Sequence, residues 1–140
     1  MSDNASRPRS AGPGPRPDRA HIGRIGEDLA AEHLRAQGWT VLERNWRNRY
    51  GELDLIAVDG SVLVIVEVKT RASKVFDDPA HAVTPLKLAR MRRLTQLWLA
   101  GHREQWWSEI RFDVVSVQLD SRHPAAVERA TVRHHRGVFE

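Results

Sequence analysis

Residues 51–70 read GELDLIAVDGSVLVIVEVKT. Asp59-Gly60 lies between two runs rich in apolar residues, which is a strong two-residue hairpin signal. It predicts strands over 52–58 and 61–70. In the second run Val62-Leu63-Val64-Ile65-Val66 is apolar on both faces, as in a central strand covered on both sides. If Val58 pairs with Ser61, Glu52 faces Glu67 and Asp54 faces Ile65. Period-two alternation then puts Glu52, Asp54, Glu67 and Lys69 on one face. Asp54 and Glu67 become diagonal neighbours, with side-chain origins roughly 7–8 Å apart. Two carboxylates at that spacing can share one cation at the ligand distances of magnesium, about 2.0–2.1 Å. A carboxylate in a half-buried strand is costly unless it is paired or binds metal, and two together repel. The plainer alternative is a Glu67–Lys69 ion pair at a solvated strand end. Glu52 is either a further ligand or a solvated neighbour.

Outward from this hairpin the chain alternates helix and strand signals. On the N-terminal side, Ile22, Ile25, Leu29 and His33 recur at helical spacing over 21–37, and Gly38 ends the helix. A strand is expected from Thr40 to Trp46, then a polar turn at Arg47-Asn48-Arg49. Beyond the hairpin, 71–83 reads as a polar loop containing Pro79. A helix runs over 86–100 from Pro85 and closes at Gly101. Further strands are expected over 111–119, with Phe112 and Val114 on one face, and over 127–134. The order α-β-β-β-α-β-β predicts an α/β sandwich around a mixed sheet.

Composition sets the outer limits. The 140 residues suffice for one domain with its own core. The absence of cysteine excludes disulfides, thiolate zinc sites and a cysteine nucleophile. No apolar run approaches the roughly 18 residues of a membrane span, and the N-terminus lacks the apolar core of a signal peptide. The expectation is a cytoplasmic protein. The formal net charge is +4, and half of it lies in residues 1–20, where Arg7, Arg9, Arg16 and Arg19 outnumber Asp3 and Asp18. That segment, rich in proline and arginine, is expected to be a disordered tail ahead of a single domain over 21–140. A basic balance attracts polyanions such as nucleic acid or anionic lipid.

Asp followed by Glu-x-Lys on a hairpin is the pattern of the PD-(D/E)XK nucleases. Five stretches in order are more specific: Gly23-Arg24-Ile25-Gly26-Glu27, Arg44-Asn45-Trp46-Arg47, Gly51-Glu52-Leu53-Asp54-Leu55-Ile56, Val66-Glu67-Val68-Lys69-Thr70-Arg71 and Arg111-Phe112-Asp113-Val114-Val115. In these the chain resembles the YraN family of uncharacterised bacterial proteins, over about residues 21 to 120. The resemblance implies a restriction-endonuclease-like fold, a three-layer sandwich with a mixed central sheet flanked by helices. It implies Asp54 and Glu67 as ligands of Mg2+ or Mn2+, and Lys69 as the cation that orients water. Glu27 would complete the site from its helix. Leu53 stands where the motif's name has proline.

Other residues take roles around that site. Arg44, Arg47, Arg49 and Arg71 lie near it in sequence and are candidates to grip a nucleic-acid backbone. Trp39, Trp46 and Tyr50 interleave with them, for stacking or for the core. Lys87 heads a stripe with Met91, Leu94 and Trp98, either reaching a phosphate or snorkelling along the apolar face. Trp106 and Trp107 suit packing or a partner surface. Asp113 beside Arg111 reads as structural, and the histidines lack metal-ligand spacing. The leading expectation is a metal-dependent nuclease acting on DNA rather than RNA, branched or damaged forms included. The alternatives are a non-catalytic nucleic-acid-binding module that keeps the fold, and an interaction subunit docking through its tryptophans.

Overall fold

The computed structural model describes residues 18–73 and 83–138. The expected tail up to residue 17 and most of the expected 71–83 loop, with Pro79, lie outside the described residues. The elements are helix α1 (Arg19–Ala36), strands β1 (Thr40–Asn48), β2 (Gly51–Asp59) and β3 (Val62–Arg71), helix α2 (Pro85–Ala100), strand β4 (Glu109–Gln118), a 3-10 turn (Val127–Arg129) and strand β5 (Thr131–His135). Together they form a mixed α/β fold in which one five-stranded sheet runs β1-β2-β3-β4-β5. Neighbours are antiparallel except β3 and β4, which are parallel. A parallel pair needs a crossover of a dozen or more residues, and α2 lies in that connection.

Each helix begins and ends where local chemistry permits. The Asp18 side chain accepts the His21 amide at 2.8 Å and caps α1. At its other end Gly38 takes φ +89°, the left-handed turn that glycine adopts without strain. Thr84 caps α2 by accepting the Lys87 amide at 3.1 Å, with Pro85 in the first turn.

The helices cover opposite faces of the sheet. Under α1, Ala30, Ala31, Leu34 and Trp39 pack on Leu55, Ala57, Val64, Val66, Val115 and Val117. Under α2, Leu88, Met91, Leu94 and Trp98 pack on Leu53, Ile56, Leu63, Ile65 and Val114. Residues 63–66 of β3 are wholly buried, as a run apolar on both faces requires. Each such side chain contributes about 1.5–3 kcal/mol by leaving water.

Three expectations about the strands are corrected. The hairpin loop is Gly60-Ser61, because Asp59 pairs with Val62. Gly60 supplies the positive φ, +62°, at the first loop position, a geometry that favours glycine. The pairing is therefore two residues away from the expected register. The polar turn also moves. Arg47 and Asn48 belong to β1, and the chain turns at Arg49-Tyr50. There Asn48 Oδ1 accepts the Tyr50 amide at 2.8 Å, an Asx turn. Finally, 127–129 is a 3-10 turn and β5 begins at Thr131.

Candidate functional site

The rungs between β2 and β3 end at Leu55 and Val66. Carried one step further, the same register sets Asp54 directly opposite Glu67, rather than diagonal to it as expected. Asp54 does not follow strict alternation either. Leu53 packs under α2 and Leu55 under α1, so the period of two breaks between them. The partner strand is irregular at the same level, where Asn45 takes φ +53° between the pairs Arg44–Leu55 and Trp46–Leu53. The carboxylate of Asp54 reaches across to β3, and its Oδ2 accepts the Val68 amide at 2.8 Å. A side chain thus takes a donor of β3 beyond the last rung.

Glu67 shares the face of Leu63 and Ile65 and pairs with Lys87 Nζ of α2. The plainer alternative, a Glu67–Lys69 pair, does not appear among the described ion pairs. Burial, and then the charge of Glu67, push the Asp54 carboxyl up to about 8. The Val68 amide pulls the other way but does not cancel the shift.

Helix α1 approaches the same end of the sheet because Gly26 lets it. A Cβ on Gly26 would lie 1.8 Å from Thr70 Oγ1. The next residue, Glu27, faces the cleft with a side chain only 12% exposed. Its Oε1 accepts from Arg44 Nε at 3.1 Å and from Asn45 Nδ2 at 2.7 Å. Arg44 also binds Asp28, so it spans two acids of α1.

Glu27, Asp54, Glu67 and Lys69 line one cleft of about 1250 Å³, together with Glu52, Arg47, Arg71, Arg19 and Arg24. The four residues expected to form the site thus come from α1, β2 and β3 to one concavity. The expected basic residues are divided. Arg47 and Arg71 line the cleft, and Arg47 pairs with Glu52 at 3.2 Å. Arg44 stands behind Glu27, while Arg49 lies at the β1–β2 turn on the ring of Tyr50. Lys87 meets Glu67 from α2. Among the described residues no group of three or more acids or histidines is arranged to hold a metal ion, and Glu27 is turned to Arg44 and Asn45. Sequence reasoning missed Asn45. Its signal was asparagine inside a strand, a residue that tolerates left-handed backbone.

The histidines and Asp113 belong elsewhere. Asp113 is buried and binds Arg111 Nε at 2.8 Å, His134 Nε2 at 2.8 Å and the Gly137 amide at 2.9 Å. Burial opposes its charge, but the bonds from His134, Arg111 and Gly137 outweigh it and hold the carboxyl below the usual range. Among the described residues no helix is long and apolar enough to cross a membrane.

Comparison with known proteins places this chain. A family model described as "Uncharacterised protein family UPF0102" matches residues 26–117, the span that contains every cleft acid. A UPF0102 protein of Mycobacterium sp. (strain KMS) is 55% identical over 103 residues, covering 72% of this chain and 76% of the relative. One from Beutenbergia cavernae is 54% identical over 117 residues, 84% of this chain and 94% of the relative. One from Nocardia farcinica is 48% identical over 122 residues, 87% and 91%. The YraN resemblance holds at this level, and the chain belongs to the UPF0102 family.

Proposed function

We propose that this protein is a metal-dependent nuclease of restriction-endonuclease-like fold, hydrolysing phosphodiester bonds in DNA, with Mg2+ or Mn2+ held by Asp54 and Glu67. The observation that carries the reading is that these two acids line one cleft with Lys69, near enough that the charge of Glu67 helps to raise the Asp54 carboxyl. The donor set suits a hard dication. Magnesium is commonly held by one or two carboxylates with water at its other positions. Burial, and then the charge of Glu67, raise the Asp54 carboxyl, and a cation beside the two acids offsets both.

Such a metal, when bound, acidifies a coordinated water and offsets phosphate charge. The chain supplies the rest. The Val68 amide fixes one oxygen of Asp54. Lys69 orients the attacking water and balances charge developing on the phosphate. Arg47 and Arg71 hold the backbone of the bound strand. Glu27, fixed by Arg44 and Asn45, forms part of the cleft wall and would be a further acid toward the metal.

One observation favours a second reading, a nucleic-acid-binding module that does not cut. Glu67 is already neutralised by Lys87 and Glu27 by Arg44. Incubation of purified protein with linear, single-stranded and branched DNAs separates the two. Cleavage that needs magnesium or manganese, vanishes in Asp54→Ala and falls about 100-fold or more in Lys69→Ala supports the nuclease. Binding without cleavage supports the module.

A further inference from the structure

We infer that the exposed flank formed by Arg49, Tyr50, Arg90 and Arg93 is a docking track for the phosphate backbone of a nucleic acid, leading into the cleft. The inference rests on the reading of that cleft as a phosphodiester site. Tyr50 is 45% exposed at the β1–β2 turn. The guanidinium of Arg49 lies 4.9 Å from its ring centroid and that of Arg93 lies 5.2 Å away. Arg49 Nη2 also donates to the Tyr50 hydroxyl at 2.7 Å. One ring therefore gathers two cations. Among the described residues no carboxylate forms an ion pair with Arg49, Arg90 or Arg93. Two guanidinium groups held together without an acid repel, and an anion between them removes the repulsion. Their planar forks match phosphate oxygens, and the ring limits the rotamer freedom lost on binding.

The turn is seated on α2 at Gly51, where an added Cβ would lie 3.3 Å from Leu94 and 3.5 Å from the Arg90 side chain. Lys87, Arg90 and Arg93 then follow one another along α2 at steps of about 4.5 Å of helix rise. The first of them touches Glu67 in the cleft. A line of cations that starts at the acids and ends at an arginine-clasped aromatic suits a linear polyanion. An anionic membrane fits less well. The apolar face of α2, with Leu88, Met91, Leu94 and Trp98, is buried on the sheet, and the two leucines that α2 leaves exposed, Leu86 and Leu97, stand about three turns apart, too little apolar surface to seat the helix in a bilayer.

The test is fluorescence anisotropy of a labelled 20-nucleotide DNA, single-stranded and duplex, in EDTA over a range of salt. Arg49→Ala/Arg93→Ala is expected to weaken duplex binding at least tenfold. The salt dependence should become shallower by about two phosphate contacts, each worth roughly 0.9 in the slope of log affinity on log salt. Arg90→Glu, at an exposed helical position, provides an independent variant, and circular dichroism melts verify folding of both. Wild-type affinity and slope in the two variants would overturn the track. So would wild-type protein that sediments with phosphatidylserine vesicles yet fails to bind DNA. Because EDTA removes the need for cleavage, the two readings fail separately. DNA binding lost in the variants, with no cutting by wild type in manganese, refutes only the nuclease. Cutting by wild type, with unchanged binding in the variants, refutes only the track.

Discussion

Asp54 Oδ2 accepts the Val68 amide at 2.8 Å across the point where β2 and β3 stop pairing. One oxygen of the carboxylate is thereby fixed to the backbone next to Glu67, while the same group carries the cost of burial beside a second acid.

That cost has a sign. In the native state the Asp54 carboxyl titrates at about 8, against about 3.9 in an unfolded chain. Between those values the native state binds the extra proton, so without metal stability declines as pH rises from about 4 to 8. Asp54→Asn removes the titration. In EDTA at pH 8 the variant should melt higher than wild type, by about 4 °C for each kcal/mol relieved, and the difference should vanish near pH 4. Differential scanning fluorimetry across that range checks it. A wild-type melting profile that is flat, or that rises with pH like the variant's, would contradict it.

Metal addition should act through the same pair. Magnesium at about 100 times its dissociation constant stabilises a native state that binds it by about 2.7 kcal/mol. Wild type at pH 8 should therefore show a rise in Tm on adding magnesium. Asp54→Asn and Glu67→Gln should each lose most of it. An equal rise in all three proteins would place the cation elsewhere.

Gly26 is required by the approach of α1 to Thr70. Gly26→Ala puts a methyl into the Thr70 side chain, and overpacking of this kind costs about 1–3 kcal/mol. Urea denaturation should show that loss, and Gly26→Ala/Thr70→Gly should recover part of it relative to Thr70→Gly alone. If the alanine variant unfolds at the wild-type midpoint, the close approach is not present in solution.

The buried Asp113 gives the opposite pH dependence from Asp54. Its carboxyl lies below the usual range, so its contribution is present above the unfolded value and is lost as pH falls through the native one. Asp113→Asn leaves Arg111 short of its charged partner and should cost about 3–5 kcal/mol at pH 7. The gap to wild type should narrow on acidification below about pH 4. Parallel stability curves for the two proteins between pH 7 and pH 3 would remove the linkage.

Much of the frame was legible because its signals are local. Gly38, Pro85 and Gly101 mark helix ends through backbone preferences that need no tertiary contact. The run from Val62 to Val66 announces a doubly covered strand by its composition. The site was legible only in outline. Asp59-Gly60 located the hairpin, but the choice between Asp59-Gly60 and Gly60-Ser61 as the loop moves the register by two. An even shift preserves strand faces, so Glu67 and Lys69 kept theirs. Around Asp54 the alternation fails, with Leu53 and Leu55 on opposite faces, level with the left-handed backbone of Asn45 on the neighbouring strand. No pattern within β2 encodes that. The clasp of Glu27 by Arg44 and Asn45 joins residues 17 and 18 positions apart, and Lys87 reaches Glu67 across 20. Such partners are set by how α1 and α2 dock on the sheet, which periodicity does not specify.

The most direct measurement is anomalous diffraction from crystals soaked in manganese at pH 8. We expect a single peak within ligand distance of both the Asp54 and Glu67 carboxylates, lost in Asp54→Asn crystals treated alike. Well-ordered crystals with no manganese between these two acids, or with Glu67 still closed onto Lys87 at saturating manganese, would contradict the account.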